Sequence, residues 1–182
     1  MNFNEKSYVK EENNAENEPR ESEIISVHLP IIDKSSGRLK NIELASGFVS
    51  GTVIPSGEEF SFNECVGPRT EARGFKKAIV FKEYEKEKEL GGGVCLVSSA
   101  IHAAAKRAGL SVTERHTHQL PVDYASSDED AAVYYGELDM KFVNSTDEPI
   151  RVDVFMGEDE LTVTLTKIGR QNMTPVYILN ST

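Results

Sequence analysis

Gly91-Gly92-Gly93-Val94-Cys95-Leu96-Val97-Ser98-Ser99 is the stretch on which the reading of this chain turns. Three glycines run straight into a cysteine, and a helical pattern begins at once. Apolar residues at Val94, Val97, Ile101, Ala104, Ala105 and Ala108 recur at helical spacing. Gly109 is placed to close the helix in a left-handed conformation. The opposite stripe holds Cys95, Ser98, Ser99, His102 and Lys106. A cysteine in the first turn faces unpaired N–H groups and the positive end of the helix dipole. That setting favours the thiolate, which is the nucleophile.

Working outward, strand patterns lie on both sides of this helix. Leu110 to Gln119 alternates and predicts a strand with His116 and His118 on one face. Residues 131–135 and 138–143 predict further strand pieces interrupted by Gly136. Ile150, Val152, Val154 and Met156, then Leu161, Val163 and Leu165, predict a hairpin with one buried face. Upstream, Ile24–Pro30, Gly51–Pro55, Phe60–Phe62 and Ala78–Phe81 predict short strands, and Asn41–Val49 a short helix. Lys34–Arg38 is turn chemistry, and the charged run Lys82–Glu89 predicts a solvated hairpin tip or loop. The expectation is an α+β fold, one central helix on a mostly antiparallel sheet.

At 182 residues the chain suits one domain, expected over residues 24–169. The net charge is -10. Residues 1–23 hold seven acids against Lys6, Lys10 and Arg20, and predict a disordered acidic tail. Residues 170–182 predict a tail or edge strand. The acidic body argues against nucleic acid and anionic membranes as partners. No apolar run reaches the roughly 18 residues of a membrane span. Met1–Glu23 lacks the apolar core of a signal peptide, which points to the cytoplasm or to an export signal already removed. Two cysteines, Cys65 and Cys95, exclude a disulfide framework and a four-thiolate zinc site.

A nucleophilic cysteine needs a base in reach and an orienter for the base. His102 lies seven residues along the same helix, about 10.5 Å along its axis, too far for direct contact. His116 and His118 are the candidates for the base. Asp123, Asp130 and Asp139 are candidate orienters, with Asp130 best placed after the histidine strand. A helix-terminal Cys followed by a strand His and a polar orienter recurs in papain-like, NlpC-type and transglutaminase-like enzymes, an analogy of arrangement. The amides of Val94, Cys95 and Leu96 are expected to form an oxyanion hole. Gly91, Gly92 and Gly93, with Arg69 and Arg115, are candidate substrate-binding residues. Two other readings compete: a zinc site of Cys95, His116 and His118, and a non-enzymatic module using the glycine turn as a ligand nest. No cofactor is implied.

These residues resemble the VanW family, named for an accessory protein of vancomycin B-type resistance. The matching stretches include Phe60–Asn63, Val66–Thr70, Gly91–Cys95, Val97–Ser99, Arg115–His118, Pro121–Tyr124, Asp130–Val133 and Tyr135-Gly136. They cover residues ~40–155 in order. Two positions depart from the family pattern: Leu96 stands where Gln is usual, and Gln119 where Ser is usual. The resemblance implies a cell-envelope context and peptidoglycan or another wall fragment as partner. Together with the residues, it leads to the expectation of a cysteine-dependent hydrolase or acyl-transferase acting on peptidoglycan-type amide bonds. In it Cys95 is the nucleophile, His116 or His118 the base and Asp130 the orienter.

Overall fold

The computed structural model describes residues 21–82 and 85–169. Its main sheet is antiparallel, with strands in the order β1-β9-β8-β2. These are β1 (Glu21–Pro30), β2 (Thr52–Ile54), β8 (Ile150–Met156) and β9 (Glu160–Ile168). The hairpin expected at 150–167 is β8–β9, with Val152 opposite Leu165 and Val154 opposite Val163. Ile150, Val152, Leu161, Val163 and Leu165 are all buried, as alternation requires. β1 begins at Glu21, inside the expected tail, because its carboxylate grips Arg151 on β8. The rest of that acidic segment and residues 170–182 lie outside the described residues.

Two long helices cover this sheet, where the sequence pattern suggested one central helix and a short one at Asn41–Val49. α3 (Val94–Arg107) packs on β1 and β9, and α1 (Ser36–Val49) packs on β8 and against α3. α1 starts five residues before the expected Asn41. Asp33 accepts the Ser35 N–H and starts the turn. Gly37, which looks like a turn residue, is needed inside the helix: a Cβ there would sit 2.8 Å from the Lys77 carbonyl oxygen.

A second sheet, β3-β7-β6, is built from β3 (Glu59–Ser61), β6 (Ser111–Glu114) and β7 (Lys141–Val143). β4 (Lys77–Lys82) and β5 (Glu85–Leu90) pair as a separate two-stranded sheet, so the described residues of the charged run are strand. Phe62 leaves the expected strand and opens a one-turn helix, α2 (Phe62–Val66). The elements form an α+β fold.

Two expectations fail in an informative way. The histidine segment is strand only to Glu114; a register shift follows Val112, and residues 115–119 leave the sheet. Residues 131–140 form one isolated bridge, Tyr134 with Leu138, instead of strands. Both segments are held by side chains of the site, which replace ladder hydrogen bonds.

Candidate active site

The three glycines let three other segments close on the helix start. A Cβ at Gly91 would meet Arg69 Cγ at 2.9 Å, and one at Gly93 would meet Arg38 Cγ at 2.6 Å. One at Gly92 would meet three atoms of Ala78 on β4 at 2.9 Å, two of them backbone. Asn41 on α1 donates to the carbonyls of Gly92 and Lys76, each at 2.9 Å, and ties the turn down. The space over the glycines is therefore filled by this chain. Gly91 and Gly93 adopt φ values of 84° and 105°, open to residues without a Cβ.

Cys95 sits half-buried in the first turn of α3. His118 hydrogen-bonds its thiol, and the Val133 carbonyl lies 3.7 Å from Sγ. The other side of the imidazole is fixed: Asp130 Oδ1 takes His118 Nδ1 at 2.7 Å, and Oδ2 takes the His118 main-chain N–H at 2.7 Å. The structure brings Cys95, His118 and Asp130 into one hydrogen-bonded row. Burial alone would raise the thiol's pKa. The hydrogen bond and charge of His118, with the Arg69 guanidinium, outweigh it and hold the thiol below its ordinary value. Burial likewise disfavours the imidazolium. Asp130 and Cys95 reverse that and push His118 up to about 10. Each shift favours the charged pair, a thiolate facing an imidazolium.

The polar stripe of α3 explains how Asp130 is placed. Ser98 donates to the Ala131 carbonyl at 2.7 Å, and Ser99 accepts the Ala131 N–H at 2.9 Å. His102 Nδ1 donates to the Glu129 carbonyl at 2.9 Å, and Arg107 holds the Glu129 carboxylate through two nitrogens at 2.6 and 2.9 Å. Arg115 donates to the carbonyls of Asp130 and Ser127 at 2.8 and 2.6 Å. One helix thus presents the cysteine at its start and fastens the segment carrying the carboxylate along its length. Burial keeps His102 neutral, suited to a structural bond. Arg115 braces the Asp130 loop, so its two bonded nitrogens serve that loop and not a ligand.

His116 is not at the thiol. Its Nε2 bonds Glu114 Oε1 at 3.0 Å, and its carbonyl accepts the Ala132 N–H at 2.8 Å. Leaving the sheet after Glu114 breaks the alternation that would have put both histidines on one face. Asp139 takes the main-chain N–H of Asn63 and the Ser61 hydroxyl at the start of α2, a structural cap, and Asp123 is exposed. Among the described residues no group of three or more His, Cys, Asp or Glu converges to hold a metal ion. This removes the zinc set drawn from Cys95, His116 and His118.

The expected oxyanion donors change as well. The carbonyls of Gly91 and Gly93 already take the amides of Val94 and Leu96. The Cys95 N–H has no partner among the described residues. Arg69 stands beside it: Nη1 is pinned to the Gly67 carbonyl at 2.8 Å, and its guanidinium lies 5.5 Å from the Phe62 ring and 5.8 Å from the Tyr135 ring. Its Nη2 is buried without a partner. Leu96 is 2% exposed and packs in the core, so position 96 faces away from the sulfur. Tyr124, whose hydroxyl hydrogen-bonds Ser99, was missed by sequence reasoning, and burial keeps its phenol neutral. The only signal for it was its place in the Pro121–Tyr124 match.

The profile described as "VanW like protein" matches residues 37–166. The chain belongs to the VanW family. The uncharacterized protein YoaR of Bacillus subtilis (strain 168) is 36% identical over 118 residues, covering 65% of this chain and 39% of that protein. The vancomycin B-type resistance protein VanW of Enterococcus faecalis (strain ATCC 700802 / V583) is 25% identical over 126 residues, covering 66% of this chain and 46% of that protein. The match thus spans less than half the length of either VanW-family relative. No solved structure matches the chain. No described helix is long and apolar enough to cross a membrane.

Proposed function

We propose that this VanW-family domain is a cysteine-dependent hydrolase or acyl-transferase acting on amide bonds of the peptidoglycan type. The observation that carries the reading is the hydrogen-bonded row Cys95–His118–Asp130. The Cys95 thiolate attacks the amide carbonyl carbon, and a C–S bond forms. Negative charge moves to the carbonyl oxygen at the first turn of α3, where the charge of the Arg69 guanidinium favours it. The C–N bond breaks as the His118 imidazolium passes its proton to the leaving nitrogen. Water or an amine then attacks the thioester, His118 takes the incoming proton, and the thiolate leaves. Asp130 keeps the imidazole in one tautomer and orientation throughout.

Peptidoglycan enters from the resistance function named for the Enterococcus faecalis relative, with the envelope as the compartment. A binding module built on the glycine turn draws less support, because the turn's open side is filled by Arg69, Ala78 and Arg38. The test is incubation of the protein with soluble muropeptides, followed by intact-mass spectrometry and product analysis. An acyl adduct on Cys95 and cleaved or exchanged amides are expected, both lost in Cys95→Ala. Unchanged muropeptides with no adduct, from protein whose Cys95 still alkylates rapidly, would sink the substrate class while leaving the thiol assignment standing.

A further inference from the structure

Six arginines lie among the described residues, and five of them have a firm partner. Arg69, Arg73, Arg107, Arg115 and Arg151 each donate a hydrogen bond of 2.8 Å or less. Arg38 makes a single contact, from Nη1 to the Ile79 carbonyl, at 3.5 Å and open to solvent. No carboxylate among the described residues pairs with it, in a chain whose net charge is -10. Its place is also costly for a cation. Arg38 lies in the first turn of α1, where the helix dipole opposes positive charge, and that turn holds no acidic residue.

Packing sets this arginine over the start of α3. Its stem crosses Gly93, two residues before Cys95. A Cβ at Gly93 would meet Arg38 Cγ at 2.6 Å and the Arg38 carbonyl oxygen at 3.3 Å. The third glycine of the turn thus makes room for Arg38, and a side chain there would push the arginine aside. The Tyr124 phenol lies within electrostatic range of Arg38, Cys95 and Asp130 alike, so these groups border one site. The two arginines singled out from the sequence are engaged elsewhere. Arg115 braces the Asp130 loop, and the remaining nitrogen of Arg69 is sealed by burial.

We propose that Arg38 is the subsite for a carboxylate of the ligand that Cys95 attacks. A guanidinium presents a planar fork that meets a carboxylate through two parallel N–H bonds. A ligand with an amide to cleave carries that group at a chain end or on an acidic side chain. Anchored over Gly93, it brings a neighbouring amide to the first turn of α3. Arg38 therefore selects anionic ligands, while His118 and Arg69 hold the thiol in its reactive form. The subsite rests on the reading of Cys95 as the reacting thiol, and not on the peptidoglycan class.

The test is alkylation of the full chain by two matched pairs of probes, read by peptide-resolved mass spectrometry. N-iodoacetylglycine is set against N-iodoacetylglycinamide, and N-iodoacetyl-γ-aminobutyrate against its primary amide. The members of each pair differ only in the carboxylate. The readout is the acid-to-amide rate ratio at Cys95, from which a general change in thiol reactivity cancels, with Cys65 as the internal reference. The Cys95 ratio should exceed that of Cys65 by about fivefold or more in at least one pair. A preference in the shorter pair marks a chain end, and one in the longer pair an acidic side chain. Arg38→Met should lower the ratio about fivefold or more, and Arg38→Lys, which keeps the stem and charge but loses the fork, about twofold. The lysine variant keeps the test valid if the methionine variant folds poorly. Equal ratios at Cys95 and Cys65 in both pairs would overturn the proposal. So would a preference indifferent to both substitutions, which would belong to Arg69 and His118. Fast labelling of Cys95 by the amide probes with no acid preference would leave the thiol assignment standing and remove the subsite alone.

Discussion

The chain carries two half-buried cysteines in the first turns of helices, and they differ in everything that matters for chemistry. Cys65 lies in α2, where burial raises its thiol pKa, with the carboxylates of Glu64 and Asp139 adding to the rise against a hydrogen bond from Thr52. Cys95 lies in α3, where burial would do the same and an imidazolium and a guanidinium reverse it. Helix position and exposure are therefore not what make a thiol reactive here. The sign of the nearest charges decides.

The sharpest way to break this comparison is to remove each sulfur. Cys95→Ala should abolish rapid alkylation by iodoacetamide and all acyl transfer, and Cys65→Ala should leave both intact; mass-resolved labelling reads this directly. Next in size is pH. At about pH 6.5 an ordinary thiol is about 1% ionised, so Cys95 should label at least about tenfold faster than Cys65. The Cys65 rate should climb about tenfold per pH unit in its acid range, while the Cys95 rate levels off at a lower pH than the Cys65 rate. Two parallel profiles would erase the distinction.

The pairing also makes a signed prediction for stability. His118 has a raised folded pKa, so its charge stabilises fully below the unfolded value near 6.5 and is lost as pH rises through about 10. Cys95 has a lowered folded pKa, so its charge stabilises above the unfolded thiol value and is lost as pH falls through the folded one. The Tm difference between the protein and His118→Ala should therefore be largest near neutrality and shrink on both sides. In labelling at about pH 6.5, His118→Ala should slow Cys95 more than any other histidine substitution does, because the charge facing the sulfur is lost.

Smaller effects follow further from the sulfur. Gly92→Ala should destabilise the fold by about 1–3 kcal/mol in denaturant melts, since Ala78 leaves no room for a methyl group. His116→Ala, at a half-exposed pair with Glu114, should change Cys95 labelling by less than about twofold. A larger loss from His116 than from His118 would reverse the assignment of the base.

What the sequence revealed followed from local periodicity. The helix from Val94, its glycine punctuation and the β8–β9 hairpin were legible because each is a pattern within one segment. The site's start, Cys95 on the first turn, was legible for the same reason, and so was the dismissal of His102. The choice between His116 and His118 was not. It depends on the chain leaving the sheet after Glu114, and that is set by Asp130, twelve residues past His118. Arg69's role as a buried charge was hidden likewise, because it depends on Phe62, Tyr135 and the absence of a Cβ at Gly91. Residues 131–140 read as strands from composition, yet hydroxyls from α3 claim the main chain at Ala131.

The pairing of β1 with β9 has a consequence for how such a unit travels. Glu21 stands opposite Ile168, so the described fold opens and shuts at one corner of its largest sheet. A polypeptide that detours through it comes back to the place it left. The unit can be spliced into a surface loop of a host protein without redirecting the host, or cut elsewhere and rejoined at that corner. It has the build of a cassette with a two-stranded doorway.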